Sequence, residues 1–298
     1  MKRSSWSSVL GAADVAYTWG SWLVTPSEER FFRNGYGDIE GARKLRADFL
    51  DAWARDGLQA WWDKWGPLEM DWSAESGSPE SIEHSPRADL SYEGVPQHAQ
   101  VFNATFMSPV ADHLPTECAL VHVRFVLPCG PVRGIVVHTA ATNDEDYATR
   151  QAKLAEPLLA HGIGSVMVLV PFYGVRRAAG QTKSMVLTVA DYLLQNFGTI
   201  LEGCALLRWL HENYPGVPLG VTGISWGGAM ASVIAVVSRL PIACIPCVGS
   251  TSPGCMVNGI IRWQLDWDTL LAECRHTLPE ARAQLEAEFR CTAGRLSA

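Results

Sequence analysis

Past residue 100 the apolar positions of this 298-residue chain fall into short runs separated by helix-length connections. Residues 101–106 form one such run. Residues 119–127 alternate Val121, Val123 and Phe125 with His122 and Arg124, the period of two that marks a half-exposed strand. Residues 134–138 (GIVVH), 165–170 (SVMVLV) and 242–248 are apolar almost throughout, the pattern of strands covered on both faces. Between them, residues 146–160 place Leu154, Leu158 and Leu159 on one side, with Gly162 as a stop signal. Residues 184–211 would make a helix about 40 Å long, beyond the ordinary globular range, so a break is expected near Gly198 or Gly203. The second half of that segment carries a stripe of Phe197, Ile200, Leu201, Cys204, Leu207 and Leu210. Residues 258–290 also read as helical. Strands joined by helices predict an α/β fold, a mostly parallel sheet with helices on both faces.

The first 95 residues follow another pattern. They hold eight of the twelve tryptophans, and Phe49, Trp53, Leu58, Trp61, Trp62 and Trp65 approach a helical i, i+3, i+4 stripe. Such a stripe packs on the main domain or rests at a lipid interface, where tryptophan is favoured. The acids at 51, 56, 63, 69 and 71 weaken attraction to anionic lipid and favour packing, which leaves peripheral membrane contact as the alternative. Residues 73–96, rich in Ser, Pro, Glu and Gly, read as a linker, and His84 within it and His98 just past it have no partners at metal-ligand spacing. Composition thus separates a Trp-rich helical extension and linker (1–95) from an α/β domain (96–298).

Charge and cysteines narrow the function classes. With 24 Lys and Arg against 31 Asp and Glu, the net charge is −7 and no basic run could neutralise several phosphates, which argues against nucleic acid as a partner. Eight dispersed cysteines are no disulfide framework; Cys204 and Cys244 sit in apolar segments where a reduced thiol packs as a small hydrophobe. The lone CxxC, Cys244 to Cys247, has no second pair for zinc. Asp14 interrupts the early apolar stretch, against a secretory signal, while Lys2, Arg3 and the serines leave a mitochondrial presequence open. The expected location is intracellular, cytoplasmic or mitochondrial. No phosphate-binding glycine loop, H-E-x-x-H or paired CxxC is present, so no cofactor and no metal are implied.

The chemistry concentrates at residues 218–232, PLGVTGISWGGAMAS, where an apolar run leads into Gly223-Ile224-Ser225-Trp226-Gly227 and then a small-residue helical run. Strand, tight turn, helix is the context that a G-x-S-x-G nucleophile elbow requires. Gly223 and Gly227 lack a Cβ and allow close approach around Ser225, whose hydroxyl projects at a helix N-terminus. The oxyanion donors expected are the backbone N–H of Trp226 and that of Ala140, in the loop after the strand ending at His138. A serine also needs a base and an acid that orients it. After Ser225 there remain 73 residues with one histidine, His276, in a charged helical segment near Asp266 and Asp268; a surface helix explains all three better.

On these residues the chain resembles the α/β-hydrolase domain-containing protein 18 family. The matching stretches are FMSPVADHLPTECALVHVRFVLP (106–128), the block 136–174 ending in PFYG, Gln181, GVTGISWGGAMAS (220–232) and IPCVGSTSPG (245–254). The resemblance implies an α/β-hydrolase fold, Ser225 as nucleophile, and hydrolysis of lipid-like acyl esters, with a small-molecule or lipid ester as partner. Thr139-Ala140-Ala141-Thr142-Asn143-Asp144 stands where the family is glycine-rich. The resemblance also implies an acid and a histidine in a C-terminal portion, so the expectation is a sheet lacking its last strands, from a truncated product or gene-model artefact. Residues 242–248 would then form an apolar sheet edge. Three readings follow: a serine hydrolase with a Ser225 acyl-enzyme, a catalytically incomplete hydrolase-fold protein with a binding role, and a membrane-surface or scaffold protein built on the tryptophans.

Overall fold

The computed structural model describes residues 30–73, 99–250, 254–257, 261–274 and 283. The N-terminal segment before residue 30, most of the linker with His84 and His98, and His276 lie outside them. The chain divides into two compact units, residues 1–42, 185–193 and 250–298 in one and residues 43–184 and 194–249 in the other.

The second unit is built on a sheet of seven strands among the described residues: β1 (Asp71–Trp72), β2 (Ala99–Met107), β3 (Leu120–Pro128), β4 (Gly134–Thr139), β5 (Ile163–Leu169), β6 (Leu219–Ile224) and β7 (Ala243–Cys247). Their order is β1-β2-β3-β5-β4-β6-β7. The block β5-β4-β6-β7 is parallel, and β1, β2 and β3 join antiparallel. In β3 the residues Val121, Val123 and Phe125 are buried while His122 and Arg124 are half-buried, as the alternation requires. The chain leaves β4 toward β5 on one side and leaves β6 toward β7 on the other. A crevice therefore opens at the carboxyl ends of β4 and β6, where open α/β sheets bind ligands.

Helices α1 (Ile39–Asp56) and α2 (Gln59–Trp65) split the tryptophan stripe at Gly57 and Leu58, both at positive φ. Phe49 is buried against Phe197, 5.5 Å between ring centroids, and Trp61 meets Phe49 edge-on at 6.5 Å. Trp62 and Trp65 stay half-buried. Strand β1 belongs to the same tryptophan-rich stretch: Trp72 pairs with Ala104 and packs on Phe125 and Trp209.

Helix α3 (Val189–Asn213) starts later than its pattern suggests and runs unbroken through both glycines, which corrects the expected break. A Cβ on Gly198 would come within 2.8 Å of Pro171, and one on Gly203 within 2.6 Å of Ile234. These glycines let neighbours approach a continuous helix. Helix α4 (Trp226–Ser238) follows β6.

At the sheet edge, β7 is largely exposed, with Ile245 at 53%. Cys244 is exposed as well, which corrects the expectation that its thiol packs inside, because no strand among the described residues covers β7 on its far side. In the first unit, Phe31 bridges Leu265, and the Tyr36 N–H donates to Glu273 Oε2 at 2.8 Å. Asp266 accepts from Thr269 N–H at 3.1 Å and so caps the helix Trp267–Cys274.

Candidate active site

Ser225 is the single residue between β6 and α4, and its backbone sits at φ 57° and ψ −121°. A residue with a Cβ avoids that region, at a cost of order 1–3 kcal/mol, unless its surroundings hold it there. Here the Ser225 N–H donates to Cys247 O at 2.9 Å, and the Ser225 carbonyl accepts from Ala229 N–H at 3.1 Å. The side chain is exposed. Around it the chain comes too close for any β-carbon. A Cβ on Gly223 would lie 2.2 Å from Thr139 Oγ1 and 2.4 Å from the Gly227 carbonyl carbon, and one on Gly227 would lie 2.6 Å from Ala140 O. Gly228 is constrained likewise, 2.8 Å from Cys247 O. The doubled glycine in the sequence was the signal for that third contact.

Thr139 ends β4 in register with Gly223. Its hydroxyl lies 2.7 Å from Gly227 O and 3.0 Å from Thr222 O, so it ties the loop after β4 to the first turn of α4. The next residue, Ala140, is fully buried beside Gly227. Trp226 opens α4, so its N–H has no carbonyl one turn back. Among the described residues that N–H has no other backbone acceptor. The sequence-predicted set of Ser225, Trp226, Ala140, Gly223 and Gly227 is thus brought together.

A second loop braces this arrangement. In Pro171-Phe172-Tyr173-Gly174, Phe172 and Gly174 both have positive φ, and a Cβ on Gly174 would lie 2.4 Å from Glu145 O. Tyr173 packs against Trp226 at 6.1 Å between ring centroids, and the Trp226 indole N–H donates to Asn196 Oδ1 at 3.0 Å. Arg176 anchors the loop from beneath. It is fully buried and meets Glu202 through two hydrogen bonds of 2.9 and 2.6 Å, and it donates to Leu169 O and Cys118 O. Gln181 closes the far end by donating to Phe172 O at 2.7 Å. Glu145 in the β4 loop pairs with Arg177 at 2.8 Å. Tyr173 and Asn196 were not legible as site residues, because their contact with Trp226 joins segments about 30 and 50 residues apart.

His138 lies inside β4, fully buried, with Nε2 3.0 Å from Ser165 Oγ. Burial, with the Arg150 charge adding to it, depresses its pKa to about 3, so it is a neutral core residue. Arg150 Nε lies 2.7 Å from Asp144 Oδ2, and burial pushes the arginine down and the aspartate up. Beside Ile224 a cavity of about 200 Å³ opens at the crevice, its walls including Thr139, Ala141, Thr142, Asn143 and Leu154. Among the described residues no imidazole or carboxylate hydrogen-bonds Ser225 Oγ, and no group of three or more His, Cys, Asp or Glu could hold a metal. None of the described helices is long and apolar enough to cross a membrane.

Comparison with known proteins gives a family match over residues 29–292, to the model described as alpha/beta hydrolase domain containing 18. Among solved structures, the chain is similar to acetyl xylan esterase 1 from Thermoanaerobacterium sp., with 14% identity, 78% of this chain and 72% of that one covered, and a TM-score of 0.47. It is also similar to a cold-adapted esterase from an Arctic intertidal metagenomic library, with 15% identity, 48% and 55% covered, and a TM-score of 0.33. A lipase in its open form matches at 16% identity, with 42% and 37% covered and a TM-score of 0.33.

Proposed function

Because the chain belongs to the alpha/beta hydrolase domain containing 18 family, we propose that it is a serine hydrolase acting on acyl esters through Ser225. The observation that carries this reading is an exposed serine held at φ 57° between a strand and a helix, at the carboxyl end of β6 beside the crevice. In the proposed reaction Ser225 Oγ attacks the acyl carbonyl and loses its proton to a general base. The N–H groups of Trp226 and Ala140 hold the negative oxygen, and Gly223 and Gly227 allow the backbone approach that brings these groups together. The C–O bond to the alcohol then breaks and the alcohol leaves with a proton, giving an acyl-enzyme. Water cleaves the acyl-enzyme to release the acid and restore the serine. The base is assigned to none of the described residues. Lipid-like acyl esters are the proposed substrate class, supported by Ala141, Leu154 and Ile224 along a cavity that Asp144, Arg150 and Lys153 also line. Peripheral membrane contact belongs to the same proposal for the half-buried Trp62 and Trp65, but not for Trp61, which packs on Phe49.

A fluorophosphonate probe tests the assignment. Labelling of the wild-type chain that vanishes in Ser225→Ala supports it; equal labelling of both removes Ser225 from the mechanism. That no imidazole or carboxylate among the described residues hydrogen-bonds Ser225 Oγ favours a second reading, a hydrolase-fold protein that binds ligands without turnover. Ester hydrolysis that depends on Ser225 would end that reading.

A further inference from the structure

Half-way along the tryptophan-rich stretch, α2 and the turn after it run beside the C-terminal part of α3 and leave a second cavity, of about 320 Å³. Trp62, Trp65 and Trp209 form its aromatic walls, and Asp63, Arg208 and Glu212 supply its charges. Trp62 and Trp65 stand edge to face, 5.9 Å between centroids at 63°, so the two rings meet as a corner. Trp209 is fixed behind by Trp72, Phe125 and Tyr214.

Elsewhere in this unit the chain covers aromatic faces with its own cations: Arg239 lies over Trp53 at 5.2 Å and Arg124 over Tyr147 at 4.7 Å. Among the described residues none lies over Trp62, Trp65 or Trp209. The groove's charges are biased the same way. Arg208 Nε is held by Glu212 Oε1 at 3.1 Å, which neutralises that pair and leaves Asp63 as the unbalanced charge. Asp63 Oδ1 already accepts from Gln59 Nε2 at 2.7 Å, and Glu212 is engaged with Arg208. The site therefore offers aromatic faces and a negative field, with one oxygen of each carboxylate already engaged. That combination suits a cation with no N–H to satisfy, attracted by the ring quadrupoles.

We propose that this groove binds an alkylated ammonium group, of the quaternary kind carried by choline. The site is separate from Ser225 and does not depend on the hydrolase reading. Its test is a titration of the full chain with choline chloride, followed by calorimetry and indole fluorescence at constant ionic strength. The control ligand is 3,3-dimethyl-1-butanol, which has the shape of choline and no charge. Saturable choline binding, at least about tenfold tighter than the neutral analogue and lost in Trp62→Ala and Trp65→Ala, supports the proposal, and Asp63→Asn should weaken it about threefold or more. Equal binding of the two ligands, no saturable binding, or binding unchanged in the Trp62→Ala/Trp65→Ala variant would overturn it. Circular dichroism melts establish that each variant is folded, and Trp62→Phe, which keeps an aromatic face, should retain part of the affinity. Flotation with phosphatidylcholine vesicles, competed by free choline, separates a lipid headgroup from a soluble ligand as the source.

Discussion

Replacing Gly227 by alanine puts the geometry of the elbow to a direct test. The new Cβ would lie 2.6 Å from Ala140 O, 2.8 Å from Thr139 O and 2.9 Å from the Ala140 carbonyl carbon. All three are backbone atoms, so no flexible side chain can swing away. Normal contact requires a separation of several tenths of an ångström more, and relief means parting the first turn of α4 from the loop after β4. That movement also strains the Thr139 hydroxyl's 2.7 Å contact with Gly227 O. Overpacking of this kind costs about 1–3 kcal/mol, and urea denaturation at unchanged m-value would measure it. If Ala140 and Trp226 supply the oxyanion donors, the same displacement removes one of them, and the rate of fluorophosphonate labelling should fall by about 10²-fold or more. Gly130→Ala is the control, since nothing lies within 4 Å of that position; it should leave stability within about 0.5 kcal/mol. A Gly227→Ala chain as stable as wild type, labelling at the wild-type rate, would refute the close approach and with it the oxyanion assignment.

Three further outcomes follow from buried groups. Arg176→Met leaves the fully buried Glu202 carboxylate without a counter-charge, with the Ser108 hydroxyl still donating to it at 2.7 Å, and should cost about 3–5 kcal/mol in urea denaturation, while Arg176→Met with Glu202→Leu should recover part of that loss. For His138 the folded pKa of about 3 lies below the unfolded value, so the unfolded chain binds the extra proton between those values. Stability is then full above about pH 6.5 and falls by up to about 1.4 kcal/mol per unit as pH drops toward 3, and pH-dependent melts of His138→Gln should lack this contribution. Burial pushes the Cys118 thiol up to about 12, and Cys204 up as well, so in the folded protein a thiol reagent at pH 8 should modify exposed Cys129 and Cys244 and spare these two until urea is added.

The strands and the elbow were legible in the residues because their determinants are local. Alternation of Val121, Val123 and Phe125 with His122 and Arg124 is the pleat itself, and a serine between glycines after an apolar run can only turn one way into a helix. The glycines of α3 misled, since a glycine weakens a helix in isolation but here admits Pro171 and Ile234 to its surface. Strand β1 and the cap at Asp266 were also missed. The first is two residues long and owes its conformation to β2, and the second lies in a segment whose periodicity carries no mark of where the helix begins.

Sequence alone, then, determined that a mostly parallel α/β sheet forms, that Ser225 is its exposed turn, and that glycine is required at 223 and 227, because short-range sterics and hydrophobic period suffice for each. Tertiary structure decided what surrounds that turn. The clamp of Thr139 on the helix start, Tyr173 and Asn196 on Trp226, the buried Arg176 and Glu202 pair beneath, and the sorting of one tryptophan stripe into a packed Trp61 and an open groove at Trp62 and Trp65 all join residues far apart in the chain. Their energies depend on burial and on angles between elements, which no local window of sequence contains.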